Sequence, residues 1–171
     1  MKIVLVGYMG SGKSTIGRLL SKKLNINFID LDEYIEKKLK SSISAIFKEK
    51  GEIYFRKMEH KFVHELMNTE ASFILSTGGG TPCYSNNMDE INAKSPNVFY
   101  LKLAIGALVQ RLTAEKENRP LIKNIADHEL PEFIGKHLFE RSFYYQQANF
   151  SITCDHKTSA VIVEEISRKL T

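Results

Sequence analysis

The sequence predicts an α/β domain, a parallel sheet with helices on both faces. Five short apolar runs rich in β-branched and aromatic residues recur along the chain. Stretches of helical periodicity separate them, and a glycine-rich turn ending in Lys13 and Ser14 joins the first run to the first helix. Strands joined through helices run parallel and are covered on both faces, so they read as unbroken apolar runs.

In chain order, "KIVLVG" (2–7) is the first strand. Lys13 to Leu24 follows as a helix with Ile16, Leu19, Leu20 and Leu24 on one face. "NFID" (27–30) is the second strand. About forty residues then precede the third, too many for a plain crossover. Within them Glu52 to Met67 is a helix presenting Phe55, Met58, Phe62 and Leu66. "SFILST" (72–77), "NVFYLK" (97–102) and "NFSITC" (149–154) are the remaining strands. Val161, Ile162, Ile166 and Leu170 mark a C-terminal helix. "EKENRPLIKN" (115–124) is charged and has little apolar periodicity. The long insertion and this stretch read either as surface decoration or as a substrate-binding subdomain and a mobile lid. No repeat or linker divides the chain, so 1–171 is expected to be one domain.

Composition narrows the function classes. With 43% hydrophobic and 26% charged residues the chain matches ordinary soluble domains. No apolar run approaches the ~20 residues of a membrane span. The net charge of +4 comes from bases scattered among acids, which gives nucleic-acid binding no support. Met1 and Lys2 lead straight into a strand pattern without the spacing of a signal peptide. Cys83 and Cys154 lie far apart in no metal-type spacing, and are expected to be reduced thiols in a cytoplasmic protein. His60 and His64 have helical spacing, but Lys61 stands where a zinc-protease pattern needs Glu, so a solvated helix face is expected.

The chemistry starts at "GYMGSGKST". Gly7, Gly12, Lys13 and Ser14 fit G-x-x-x-x-G-K-[ST], with the strand before and the helix after that the pattern requires. Glycines let successive N–H groups face phosphate oxygens, and the helix N-terminus favours the same anion. Lys13 adds a charge near the β- and γ-phosphates, and Ser14 offers a hydroxyl to Mg²⁺. The anion is expected to be a nucleoside triphosphate. A switch GTPase would show Asn-Lys-x-Asp and a carboxylate at the tip of the third strand. The chain has neither, and the "TSA" at Thr158 to Ala160 is a faint guanine-loop echo only. A small-molecule kinase is the better reading.

"FIDLDEYIE" sets Asp30 and Asp32 at the C-terminal edge of the second strand, where open parallel sheets bind ligands. Helix capping is the bland account; a metal-side and a substrate-side carboxylate is the functional one. Arg56 and Glu59 share a helix face, a spacing common in surface ion pairs. Phe47 and Phe55 read as core. Three consecutive glycines, Gly78 to Gly80, carry an entropic cost that fits close backbone contact with a ligand.

Taken in order, "GYMGSGKS", "FIDLD", "IFKEKGEIYFRKME", "TGGG", "RPL" (119–121) and "RSFYY" (141–145) resemble the shikimate kinase family over nearly the whole chain. Either Tyr144 or Tyr145 can fill that family's tyrosine position. The resemblance implies phosphorylation of the 3-hydroxyl of shikimate by ATP with Mg²⁺, on the route to chorismate and the aromatic amino acids. It implies a three-layer α/β/α fold with a five-stranded sheet in the order 2-3-1-4-5. An acceptor-binding subdomain is expected at about 33–68 and a lid at about 112–124.

The resemblance further implies catalytic roles for Lys13, Asp32 and Arg119. Nucleotide contacts follow from Gly10, Ser11, Gly12, Lys13, Ser14, Thr15, Arg111, Arg119 and Lys157, and a metal site from Ser14 and Asp30. Asp32, Arg56, Gly78, Gly79, Gly80 and Arg141 would hold shikimate, with Phe47, Phe55 and Glu59 around them. A cytoplasmic monomer with no nucleic-acid or membrane partner is expected. Another small-acceptor kinase, such as a gluconate or nucleoside monophosphate kinase, and a nucleotide-switch module remain as rivals.

Overall fold

The structure is a computed structural model describing residues 1–171. Its elements are β1 (Lys2–Val6), α1 (Lys13–Leu24), β2 (Asn27–Asp30), α2 (Leu31–Leu39), α3 (Ile43–Met67), β3 (Phe73–Ser76), α4 (Asn87–Lys94), β4 (Val98–Lys102), α5 (Ile105–Glu115), α6 (Leu130–Tyr145), β5 (Phe150–Thr153) and α7 (Ser159–Ser167). Short 3₁₀ turns lie at Thr81–Cys83 and Lys116–Asn118. The five strands pair in the order β2-β3-β1-β4-β5, every pair parallel.

That order distributes the helices. Crossovers between parallel strands are right-handed, so connections running in opposite directions along the sheet lie on opposite faces. α1 carries the chain outward to β2, whereas every later connection runs the other way, back through β3 and on to β4 and β5. α1 therefore lies across the sheet from α2 through α6, and α7 packs beside it. The central strand has no solvent access at Ile3, Val4, Leu5 and Val6, and its register with both neighbours is continuous at Val4, opposite Leu75 and Val98.

All five strands fall within the expected runs, and α1 has the expected bounds. The apolar stripes are narrower than their periodicity suggests. Ile16 and Leu20 are buried, whereas Leu19 is 37% exposed; Ile162 and Ile166 are buried, whereas Val161 is 50% exposed. A helix lying on a sheet buries the row facing it and leaves the flanking rows at the edge.

α3 starts nine residues before the expected Glu52. Ser42 caps it by accepting from the Ala45 N–H at 3.2 Å, and Gly51 interrupts it with φ 84° and ψ 172°. No atom lies within 4 Å of where a Cβ would stand on Gly51, so its backbone conformation, not lack of room, calls for glycine. His64 is solvent-exposed as expected and bonds Glu90 Oε1 on α4, whereas His60 is half-buried and bonds Asn87 Oδ1. Of the expected lid, 112–115 is the last turn of α5, with Leu112 fully buried. Its remainder is pinned by Ile122, also fully buried, an apolar anchor inside a charged stretch. No helix is long and apolar enough to cross a membrane.

Candidate active site

The turn between β1 and α1 opens at the C-terminal edge of the sheet. Gly10 and Gly12 take φ of 77° and 96°, which a side chain would strain. A Cβ on Gly10 would also meet Leu112 Cδ2 at 2.9 Å. The loop walls a cleft of about 490 Å³, to which Gly10, Gly12, Lys13, Ser14, Thr15, Asp30, Asp32, Arg111 and Arg119 all contribute. Lys13 is nearly buried, and its Nζ donates to the Gly7 and Tyr8 carbonyls at 2.8 and 3.0 Å. Burial lowers its pKa to about 8 against the pull of Asp32 and Asp30, with Arg119 and Arg141 adding to the lowering.

Asp30 caps the helix and also reaches the phosphate loop. Its Oδ1 caps α2, accepting from the Asp32 and Glu33 N–H groups. Its Oδ2 accepts from Ser14 Oγ at 2.6 Å. Asp32, one residue into the helix, is turned instead toward the glycines: a Cβ on Gly78 would stand 3.1 Å from Asp32 Oδ1. Burial, then Asp30 and Glu59, raise the Asp32 carboxyl to about 6.

Beyond Asp32 lies a second pocket of about 250 Å³. Asp32, Phe47, Phe55, Arg56, Glu59, Gly78, Gly79, Gly80 and Arg141 all line it. Asp32, Met9, Gly78 and Gly79 also line the first cleft, so the two cavities meet there. The Arg56–Glu59 pair is not a surface one. Glu59 is 1% exposed, bonds Arg56 Nη1 at 2.8 Å, and accepts from Thr81 Oγ1 at 2.7 Å. Phe47, expected in the core, is 37% exposed; its ring packs 4.7 Å from that of buried Phe55 and faces the pocket. Arg141 comes from α6, with its Nη1 within 3.3 Å of where a Gly79 Cβ would be. Of the two tyrosines, Tyr145 is fully buried, and its hydroxyl donates to the Gly79 carbonyl at 2.6 Å.

Three expected residues stand apart. Ser11 is buried with its Oγ unpartnered and does not line the cleft. Lys157 pairs with Glu165 at 2.6 Å and also lies outside the cleft. Arg119 lines it but is held by Glu115, its Nε 2.9 Å from Oε2. Glu115, Met9, Ser76, Thr77 and Leu121 line one cavity or the other without having been singled out. Ser76 and Thr77 adjoin the triple glycine and were findable from it. Glu115 reads as one more charge in a charged stretch.

A family model described as shikimate kinase matches residues 9–171. The shikimate kinase of Flavobacterium psychrophilum is 50% identical over 169 residues, 99% of this chain and 98% of that one. The crystal structure of shikimate kinase from Bacteroides thetaiotaomicron is similar with a TM-score of 0.90 at 35% identity, covering 98% of this chain and 97% of that one. Shikimate kinase from Acinetobacter baumannii, in complex with shikimate, gives 0.86 at 31% identity over 99% and 95%. Identity at this level over nearly the whole length sets aside the gluconate-kinase and switch readings. The chain belongs to the shikimate kinase family, and is a phosphotransferase.

Proposed function

We propose that the larger cleft takes ATP, the smaller pocket takes shikimate, and the γ-phosphoryl passes to the 3-hydroxyl beside Asp32. One observation carries this reading: Arg56 and Arg141, 85 positions apart in sequence, line a single pocket that opens onto the phosphate loop at Asp32. Two guanidiniums in one small pocket suit a carboxylate, which they can grip with forked, charge-assisted bonds.

The roles follow from position. Asp32 accepts from the attacking hydroxyl, orients it, and takes its proton late in a loose transition state. Lys13 and Arg119 offset charge on the transferring phosphoryl. Glu59 holds Arg56, and Tyr145 holds the Gly79 backbone. Ser14 and Asp30 are adjacent hard oxygen donors, and no cluster of three or more His, Cys, Asp or Glu surrounds them. Such a sparse set fits Mg²⁺, which binds through few protein ligands and, when present, offsets charge on the β- and γ-phosphates. The helices at about 33–68 form the acceptor side, and the segment at 116–124 closes over ATP to keep water from the γ-phosphate. The protein acts as a cytoplasmic monomer.

The test is the shikimate KM and ATP Kd of Arg56→Lys and Arg141→Lys. Each keeps its charge and loses its fork, so KM should rise about ten-fold or more while ATP Kd holds. A fall in ATP affinity at constant shikimate KM would move both arginines to the nucleotide side. For the lid, amide exchange across 116–124 should slow several-fold on adding a non-hydrolysable ATP analogue. Equal protection in both states would leave the segment without a closing role.

A further inference from the structure

Arg56 is held on more sides than its partner carboxylate accounts for. Its Nη1 is bonded to Glu59, but its Nε is buried and makes no hydrogen bond. Glu52 Oε1 stands 3.7 Å from that Nε, beyond bonding distance. Two other groups meet the guanidinium. Gly80 backs onto it so closely that a Cβ there would fall 2.7 Å from Nη2. The ring of Tyr84 lies 4.0 Å from Cζ, against 5.2 Å for Phe55, the other ring near it.

Arg56 is also a partition. It lines the acceptor pocket and, on its other side, an open groove of about 530 Å³ that Tyr84 shares and that Asp32 and the glycines do not reach. The turn bearing Tyr84 is tied to α3 independently of the ring. Thr81 donates to Glu59, and Asn87 Nδ2 donates to the Thr81 carbonyl while its Oδ1 meets His60 Nδ1.

We propose that Tyr84 is a positioning residue for the acceptor's carboxylate, acting through Arg56. Its ring face attracts the guanidinium and covers it against the outer groove, so that the fork is held flat and dry before shikimate arrives. A cation over an aromatic face at this distance needs no hydroxyl, so the ring matters and the phenol oxygen does not. The inference rests on Arg56 gripping the acceptor.

Four variants test it by steady-state kinetics and ATP-analogue titration. Tyr84→Leu should raise shikimate KM about three- to ten-fold, the range of one partly desolvated cation–ring contact, with kcat and ATP Kd within two-fold. Tyr84→Phe should stay within two-fold of the parent in all three. Tyr84 is 38% exposed, so the leucine is accommodated; Tyr84→Met gives the same readout should it not be. In an Arg56→Ala background, Tyr84→Leu should cost nothing further, because the two act as one unit. An unchanged KM in Tyr84→Leu, a Tyr84→Phe as impaired as the leucine, or additive losses in the double variant would each overturn the inference. If Arg56→Ala itself leaves shikimate KM unchanged, it is the reading of Arg56 that fails, and the inference falls with it. If Arg56→Ala raises KM and Tyr84→Leu does not, the inference fails alone.

Discussion

Replacing Lys13 by alanine is expected to lower kcat by about two to three orders of magnitude, the usual cost of deleting one fixed charge partner from a transferring group in a dry site. The ammonium is nearly buried among backbone carbonyls at the loop it serves, and its pKa is pushed down to about 8. The sign of that shift says what the residue does to stability. The folded-state pKa lies below the ordinary 10.5, so the unfolded chain binds the proton more tightly between those values. Stability attributable to Lys13 is full above pH 10.5 and is lost as pH falls through 8. At pH 7 the charge therefore weighs against the nucleotide-free fold, partly offset by its bonds to Gly7 and Tyr8. Lys13→Ala should unfold no earlier than the parent without nucleotide and should lose most of the stabilisation that an ATP analogue confers. Turnover near the parent's in a folded variant would remove Lys13 from the reaction.

Asp32→Asn is the second large effect. The amide cannot take a proton from the attacking hydroxyl, so kcat should fall about 10²- to 10⁴-fold. In nucleotide- and magnesium-free buffer the same variant should be more stable than the parent. The Asp32 carboxyl is raised from 3.8 to about 6 by burial and by the neighbouring carboxylates. A raised carboxyl pKa contributes stability below 3.8 that is lost as pH rises through 6, at a cost of about 3 kcal/mol above that window. Asparagine carries no such cost. Urea unfolding at pH 4 and pH 8 should show the variant's advantage at pH 8 and little at pH 4. An equal gap at both would mean that packing, not charge, separates them.

The strands, α1 and the phosphate loop were legible because each depends on local order: an apolar run, a 3.6-residue period, a glycine spacing. The order of the strands was not local, and entered through the resemblance. Within the site, the same helix face that paired Arg56 with Glu59 could not reveal that the pair is buried, because Thr81 and the glycines that cover it arrive from β3. Phe47 was mistaken for core since hydrophobicity alone does not separate a buried ring from one lining a pocket. Ile122 escaped notice because a single apolar anchor has no period. Lys157 lies beside Glu165 eight positions on, a pairing that depends on where β5 hands the chain to α7.

The break at Gly51 divides the acceptor side into two kinds of wall. Residues 52–67 are bonded to the sheet side through Glu59 and Thr81 and through His60 and Asn87. Residues 43–50, which bring Ile43 and Phe47 to the pocket, join them through one residue outside helical geometry. Selectivity should accordingly be steep at one end of the pocket and shallow at the other. An analogue stripped of its carboxylate would leave Arg141 without its proposed counter-charge and Arg56 with Glu59 as its bonded partner. An analogue enlarged toward Phe47 meets a ring that is already 37% exposed, at the less tightly bonded end. Inhibitors would draw their discrimination from the arginine end, and have latitude for elaboration at the other.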